Sequence, residues 1–332
     1  MYKTLATTVL LTASSFSVNA NECGVVTIAD MNWNSASLIA HVDAFILENG
    51  FDCEVDLVSG DTMPTGTSMI EKGQPDIAPE FWSNSFQESL DKGVADGRIR
   101  FAGVALSDGG QQGFWVPEYM VKKDPSLATI SGIKANASLF KHPEDPDKSA
   151  IMGCPSGWNC QLSAEHLFTA MELDKSGFEL IDPGSGAGLA ASIAKAYERN
   201  QAWFGYYWAP TPVLGKYKMV QVDLEAEADD EYFFECIANP DCFDPKVVKY
   251  PTADVHSIVT EDFATKSVKG LEYITARSFT NAQMNILLSW MEDQQADGEY
   301  ASEYFLNNYE SIWSEWVTPD VQIKIKQALA DL

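Results

Sequence analysis

Positive charge is scarce in this chain: 22 Lys and Arg stand against 48 Asp and Glu, four of the 22 are arginine, and histidine occurs four times. So acidic a surface repels nucleic acid and anionic lipid and favours cationic or zwitterionic visitors. Long apolar runs are missing too, since no stretch after the N-terminus reaches the roughly 18 uninterrupted apolar residues of a membrane span. The chemistry-bearing motifs are equally thin. His41 and His166 fall in expected helices, His142 in an acidic loop and His256 on an expected strand, so no imidazole pair has metal-ligand spacing. Ser156 in GCPSGW lacks the G-x-S-x-G spacing of a nucleophile elbow. The stretch PGSGAGLAA (183–191) lacks the Lys-Ser/Thr of a phosphate loop and reads as a flexible helix entry. The expectation is a protein without cofactor, metal or covalent chemistry.

Residues 1–20, MYKTLATTVLLTASSFSVNA, carry one charge at Lys3, a short apolar stretch and Val18-x-Ala20. They read as a secretory signal cut after Ala20. Its removal takes away Lys3, leaving 21 basic against 48 acidic residues, or −27. All six cysteines lie in the exported part, and an even count in an oxidising compartment argues for disulfides. Cys154/Cys160 and Cys236/Cys242 each close a small ring, which leaves Cys23 with Cys53.

Apolar alternation and helical spacing predict a strand at 25–29, a helix at 37–49 and a strand at 53–58. Such a strand-helix-strand unit favours parallel neighbours, and a Cys23–Cys53 bridge would tie the starts of the two strands. Further helices are expected at 65–72, 84–92, 163–171 and 188–200, and strands at 76–79, 116–120 and 203–207. The tail from 279 to 332 reads as helical, with Met284, Leu287, Leu288 and Met291 on one stripe. The class is α/β, and the acidic segments at 142–149 and 225–231 read as exposed loops.

Nine tryptophans are present. Trp290, Trp313 and Trp316 fall in the C-terminal helices, where packing accounts for them. Trp33, Trp82, Trp115, Trp158 and Trp208 each lie at a strand end or a loop junction, beside Gly, Pro, Asn or Ser. The crevice beyond the carboxyl ends of strands is where open α/β sheets bind ligands. Indole faces attract cations by about 0.5–2 kcal/mol per contact, and methylated ammonium or sulfonium groups lack the N–H donors that a carboxylate alone would select.

The segments DIAPEFW (76–82), QQGFWVPEYMVKKDP (111–125), GCPSGWNC (153–160), WFGYYWAPT (203–211) and FTNAQMNILLSWMED (279–293) occur in an order that resembles a known family. It is that of the periplasmic substrate-binding proteins of glycine betaine/proline-type ABC transporters, with relatives that bind choline, trimethylamine N-oxide (TMAO) or dimethylsulfoniopropionate (DMSP). The resemblance implies a two-lobe periplasmic binding protein fold (type II) with a ligand cleft between the lobes. Lobe I would hold residues 21–110 and 254–332, and lobe II residues 111–253. It further implies a monomer that delivers its ligand to a membrane permease, with the five tryptophans forming a box on closure.

The ligand's anionic end has no obvious partner, because Arg98, Arg100, Arg199 and Arg277 lie in segments unconnected to the Trp-bearing loops. Backbone N–H groups of Gly157, Trp158 and Asn159 are therefore expected to meet it. Glu80 and Glu118, beside two box tryptophans, are candidates for attracting the cationic head. Two other readings stay open: a secreted hydrolase, and a sugar-binding module in which Asn32, Asn34, Asn84 and Asn159 rim aromatic platforms.

Overall fold

Val25–Met31 (β1) and Glu54–Gly60 (β2) pair in parallel with Val25 opposite Glu54, joined by the helix Asn34–Phe51. The Cys23–Cys53 disulfide, with Cα atoms 5.3 Å apart, ties the two strands at their starts. The computed structural model of this chain describes residues 23–83 and 86–332. The expected export signal, residues 1–20, and Asn84 lie outside the described residues.

β3 (Ile77–Trp82), β4 (Ile99–Val104) and β10 (Val255–Thr260) complete a mixed sheet of order β2-β1-β3-β10-β4. A second sheet repeats that plan as β7-β6-β8-β5-β9, built from β5 (Gln111–Pro117), β6 (Ser149–Met152), β7 (Phe178–Ile181), β8 (Gly205–Ala209) and β9 (Met219–Gln221). In each sheet the first three strands in that order are parallel, and the fourth runs antiparallel to its neighbours on both sides. The expected α/β class is met in two sheets, each with its own helices.

The chain leaves the first sheet after β4 and re-enters it at β10. These crossovers touch: Gly110 and Ala253 exchange backbone hydrogen bonds of 2.8 and 2.7 Å. Gly110 also lies under the ring of Trp82, where an added Cβ would fall 2.1 Å from Cζ3. Only glycine leaves room for the indole at that crossing.

One departure from expectation has a local cause. The segment 116–120 is not a strand: β5 ends at Pro117, and Glu118–Lys123 is a helix. An acid at its first position, Lys122 and Lys123 at its end, and a Lys122–Glu118 ion pair of 2.7 Å all suit the helix dipole. In the tail, Asn281–Gln294 is a helix opened by a Thr280/Gln283 capping box, with Met284, Leu287, Leu288 and Met291 buried as the spacing requires.

Candidate functional site

The carboxyl ends of β1, β3, β6 and β8 converge on the gap between the two sheets, and four tryptophans stand there. Trp33 follows β1 as the N-cap of the helix Asn34–Phe51, its extended backbone (φ −133°, ψ 151°) turning the chain into the helix. Trp82 ends β3. Trp158 sits in the loop between β6 and the helix Cys160–Ala170, and Trp208 is on β8. With Tyr206, Thr62, Asn159 and Cys160 they surround one tight space of about 20 Å³. Trp158 meets Trp33 edge-on at 5.2 Å and Trp208 at 5.0 Å, so walls from both sheets touch. The lobes are closed on each other.

Each lobe secures its indoles differently. Glu80, fully buried, accepts hydrogen bonds at Oε1 from Trp33 Nε1 (2.7 Å), Trp82 Nε1 (2.9 Å) and Ser35 Oγ (2.9 Å). Burial pushes its carboxyl above the ordinary range despite these donors. Trp158 Nε1 instead donates across the cleft, to Asn32 Oδ1 (2.8 Å) and Asp61 Oδ1 (3.0 Å). Burial raises the Asp61 carboxyl as well.

The Cys154–Cys160 disulfide, with Cα atoms 5.7 Å apart, closes the loop under Trp158. Gly157 takes φ +89° there, a conformation that other residues rarely adopt, and its carbonyl accepts from the Met63 N–H (3.2 Å) of the opposite lobe. The third expected disulfide, Cys236–Cys242, is also formed.

Four of the expected site residues, Trp115, Glu118, Gly157 and Glu80, do not line this space. Trp115 pairs with Gly205 on β8, while Tyr206 and Trp208 pair with Phe114 and Gln112. Paired residues share a face and neighbours alternate, so Trp115 lies on the face opposite Trp208 and donates its N–H to the Tyr207 carbonyl (3.1 Å). Glu118 is a surface acid whose carboxyl Lys122 holds below its usual value. The N–H of Gly157 is taken by Gln161 Oε1 (3.1 Å) and that of Trp158 by the Pro155 carbonyl (3.2 Å). Neither is left for a ligand. Asn159 and Cys160 do line the space, at the first turn of an 11-residue helix whose leading N–H groups have no intrahelical acceptor.

Tyr206 is an unforeseen wall, near parallel to Trp208 at 6.4 Å, its hydroxyl donating to Gln112 Oε1 (2.7 Å). Strand parity was the signal for it, since it stands two residues before Trp208. Arg277 corrects a second expectation. Far from unconnected, it is fully buried and donates to the carbonyl of Pro79, next to Glu80 (3.0 Å). Two of the asparagines offered for a sugar rim are engaged within the protein: Asn32 accepts from Trp158, and the Asn159 side chain donates to the Trp82 carbonyl. A larger recess of about 360 Å³ opens beyond Trp33 and Trp208, beside Glu292, which pairs across the lobes with Lys216 (3.7 Å).

Comparison with known proteins agrees with this geometry. Residues 24–308 match the family described as the substrate binding domain of ABC-type glycine betaine transport system. The glycine betaine/proline betaine-binding periplasmic protein of Escherichia coli (strain K12) is 22% identical over 241 residues, covering 70% of this chain and 69% of that protein. The glycine/betaine/L-proline-binding protein of Borrelia burgdorferi superposes with a TM-score of 0.71 at 18% identity, covering 91% of this chain and 99% of that one. An ABC-transporter choline-binding protein in complex with choline gives 0.71 at 19% identity over 94% and 100%. At these identities the likeness of the structures is one of fold: two α/β lobes around a cleft.

Proposed function

Because the chain belongs to the substrate-binding domain family of ABC-type glycine betaine transport systems, we propose that it captures a small methylated onium compound for an importer. Its relatives are solute-binding proteins of transporters, not enzymes. The observation that carries the proposal is the closed box: Trp33 and Trp82 from one lobe, Trp158, Trp208 and Tyr206 from the other, around one space. Aromatic faces on several sides suit a trimethylated head, which has no donors to satisfy and offers positive charge in all directions.

The ligand's oxygen end is assigned to the start of the helix Cys160–Ala170, where Asn159 and Cys160 reach the space. Glycine betaine, choline, TMAO and DMSP are the candidate ligands. Lobe I is taken as residues 21–110 with 254–332 and lobe II as 111–253, hinged at the Gly110–Ala253 crossing. Export by residues 1–20 to the periplasm, a monomeric state and delivery to a membrane permease complete the reading.

Titration calorimetry of residues 21–332 against those four compounds, with maltose and L-proline as controls, tests it. Heat from at least one onium ligand and none from maltose is expected. Heat from none of the four would overturn the proposal.

A further inference from the structure

Glu80 carries more charge than its surroundings balance. Its Oε1 holds three donors, yet its Oε2 is buried without a partner. The positive group acting on it is Arg277, and that guanidinium already meets Asp43 through Nε–Oδ1 and Nη2–Oδ2 contacts of 3.0 Å each. Tyr273 adds a hydroxyl to Asp43 Oδ1 (2.7 Å), and Ser257 Oγ lies 2.9 Å from Arg277 Nη2. Asp43, Glu80 and Arg277 are all fully buried. One cation thus faces two carboxylates out of reach of water, and the ionised cluster is one negative charge in excess. An unmatched buried charge is costly, so the cluster is suited to a site completed by a cation.

Glu80 itself does not line the box; its contact with the site runs through the indole N–H groups of Trp33 and Trp82. An aromatic ring is positive at its edge and negative on its face, so a carboxylate at the N–H edge enriches the face. Resting on the onium reading above, we propose that Glu80 is a positioning and charge-setting residue, which makes the box select a cation over an uncharged group of the same shape. It would do so by fixing two indoles and biasing their faces, without touching the ligand.

The test uses Glu80→Gln, which keeps an acceptor for the indoles and removes the charge. Each onium ligand is paired with a carbon isostere of its head: choline with 3,3-dimethyl-1-butanol, and glycine betaine with 3,3-dimethylbutanoate. In Glu80→Gln the affinity for the onium members is expected to fall about tenfold or more, while that for the isosteres changes little, so the ratio within each pair shrinks. A ratio unchanged in a folded variant would reduce Glu80 to a structural acceptor and overturn the proposal. Wild-type protein binding neither onium compound would instead sink the functional reading, and this one with it.

A second arm varies pH. The ratio for wild-type protein is followed from pH 5 to pH 8 and is expected to widen as Glu80 ionises. Asp43, Arg277 and Tyr273 face Glu80 from within its cluster, and Asp61 stands at Trp158. His256 of β10 pairs with Phe81, on the opposite face of β3. A ratio flat with pH, or a slope that persists in Glu80→Gln and so belongs to Asp61, overturns the proposal.

Discussion

The two halves of the box are built on different terms. Trp33 and Trp82 donate their N–H groups to Glu80 within their own lobe, in a region sealed from solvent. Trp158 rests on a disulfide-closed loop of the second lobe, and its N–H is satisfied by Asn32 and Asp61 of the first. The first wall is therefore complete whether the cleft is open or shut. Trp158 acquires its side-chain polar partners only on closure, so ordering it is part of binding.

That contrast can be broken by substitution. Trp158→Ala removes a wall and the cross-cleft bonds together, and is expected to cost about 2–3 kcal/mol of affinity by calorimetry with little change in melting temperature. A loss no larger than that of Trp208→Ala would mean the cross-cleft bonds contribute nothing. Replacing Cys154 and Cys160 together by serine should lower stability by about 2 kcal/mol on the loop-entropy argument, read by urea unfolding. Gly110→Ala forces a Cβ into Trp82 and should disturb the wall that needs no closure, costing about 1–3 kcal/mol of stability and weakening ligand binding. Asp61→Ala is the mildest, about 1 kcal/mol of affinity, and should appear as faster dissociation at nearly unchanged association rate.

A pH experiment sharpens the same contrast. Burial raises the Glu80 carboxyl, so the folded protein holds that proton more tightly than the unfolded chain does. The associated stability is present below the ordinary carboxylate range and is lost as pH rises through the raised value. Ligand-free Glu80→Gln should thus melt higher than wild type at pH 8 and gain nothing at pH 4. An onium ligand should correspondingly stabilise wild type more at pH 8 than at pH 5.

Much of the site was legible because its residues sit beside strand-ending punctuation. Trp33, Trp82, Trp158 and Trp208 lie at such ends, and the close cysteine pairs closed the small rings expected of them. What misled was parity. Trp115 and Trp208 are both junction tryptophans, but the β5–β8 register places them on opposite faces and substitutes Tyr206. Pro117 hid a further turn of chain direction, sending Glu118 into a surface helix. Arg277 could not have been found locally, because its carboxylate partner is 234 positions away in sequence and the two meet only through the return of the chain to the first sheet.

The bond from Trp158 across the cleft has an optical consequence. Opening the lobes returns that indole N–H from a carboxylate and an amide to water, and separates its ring from Trp33, 5.2 Å away. Emission from this one chromophore should then shift with the opening and closing of the cleft. The protein would carry its own fluorescent gauge of occupancy, needing no attached dye to follow capture and release in real time.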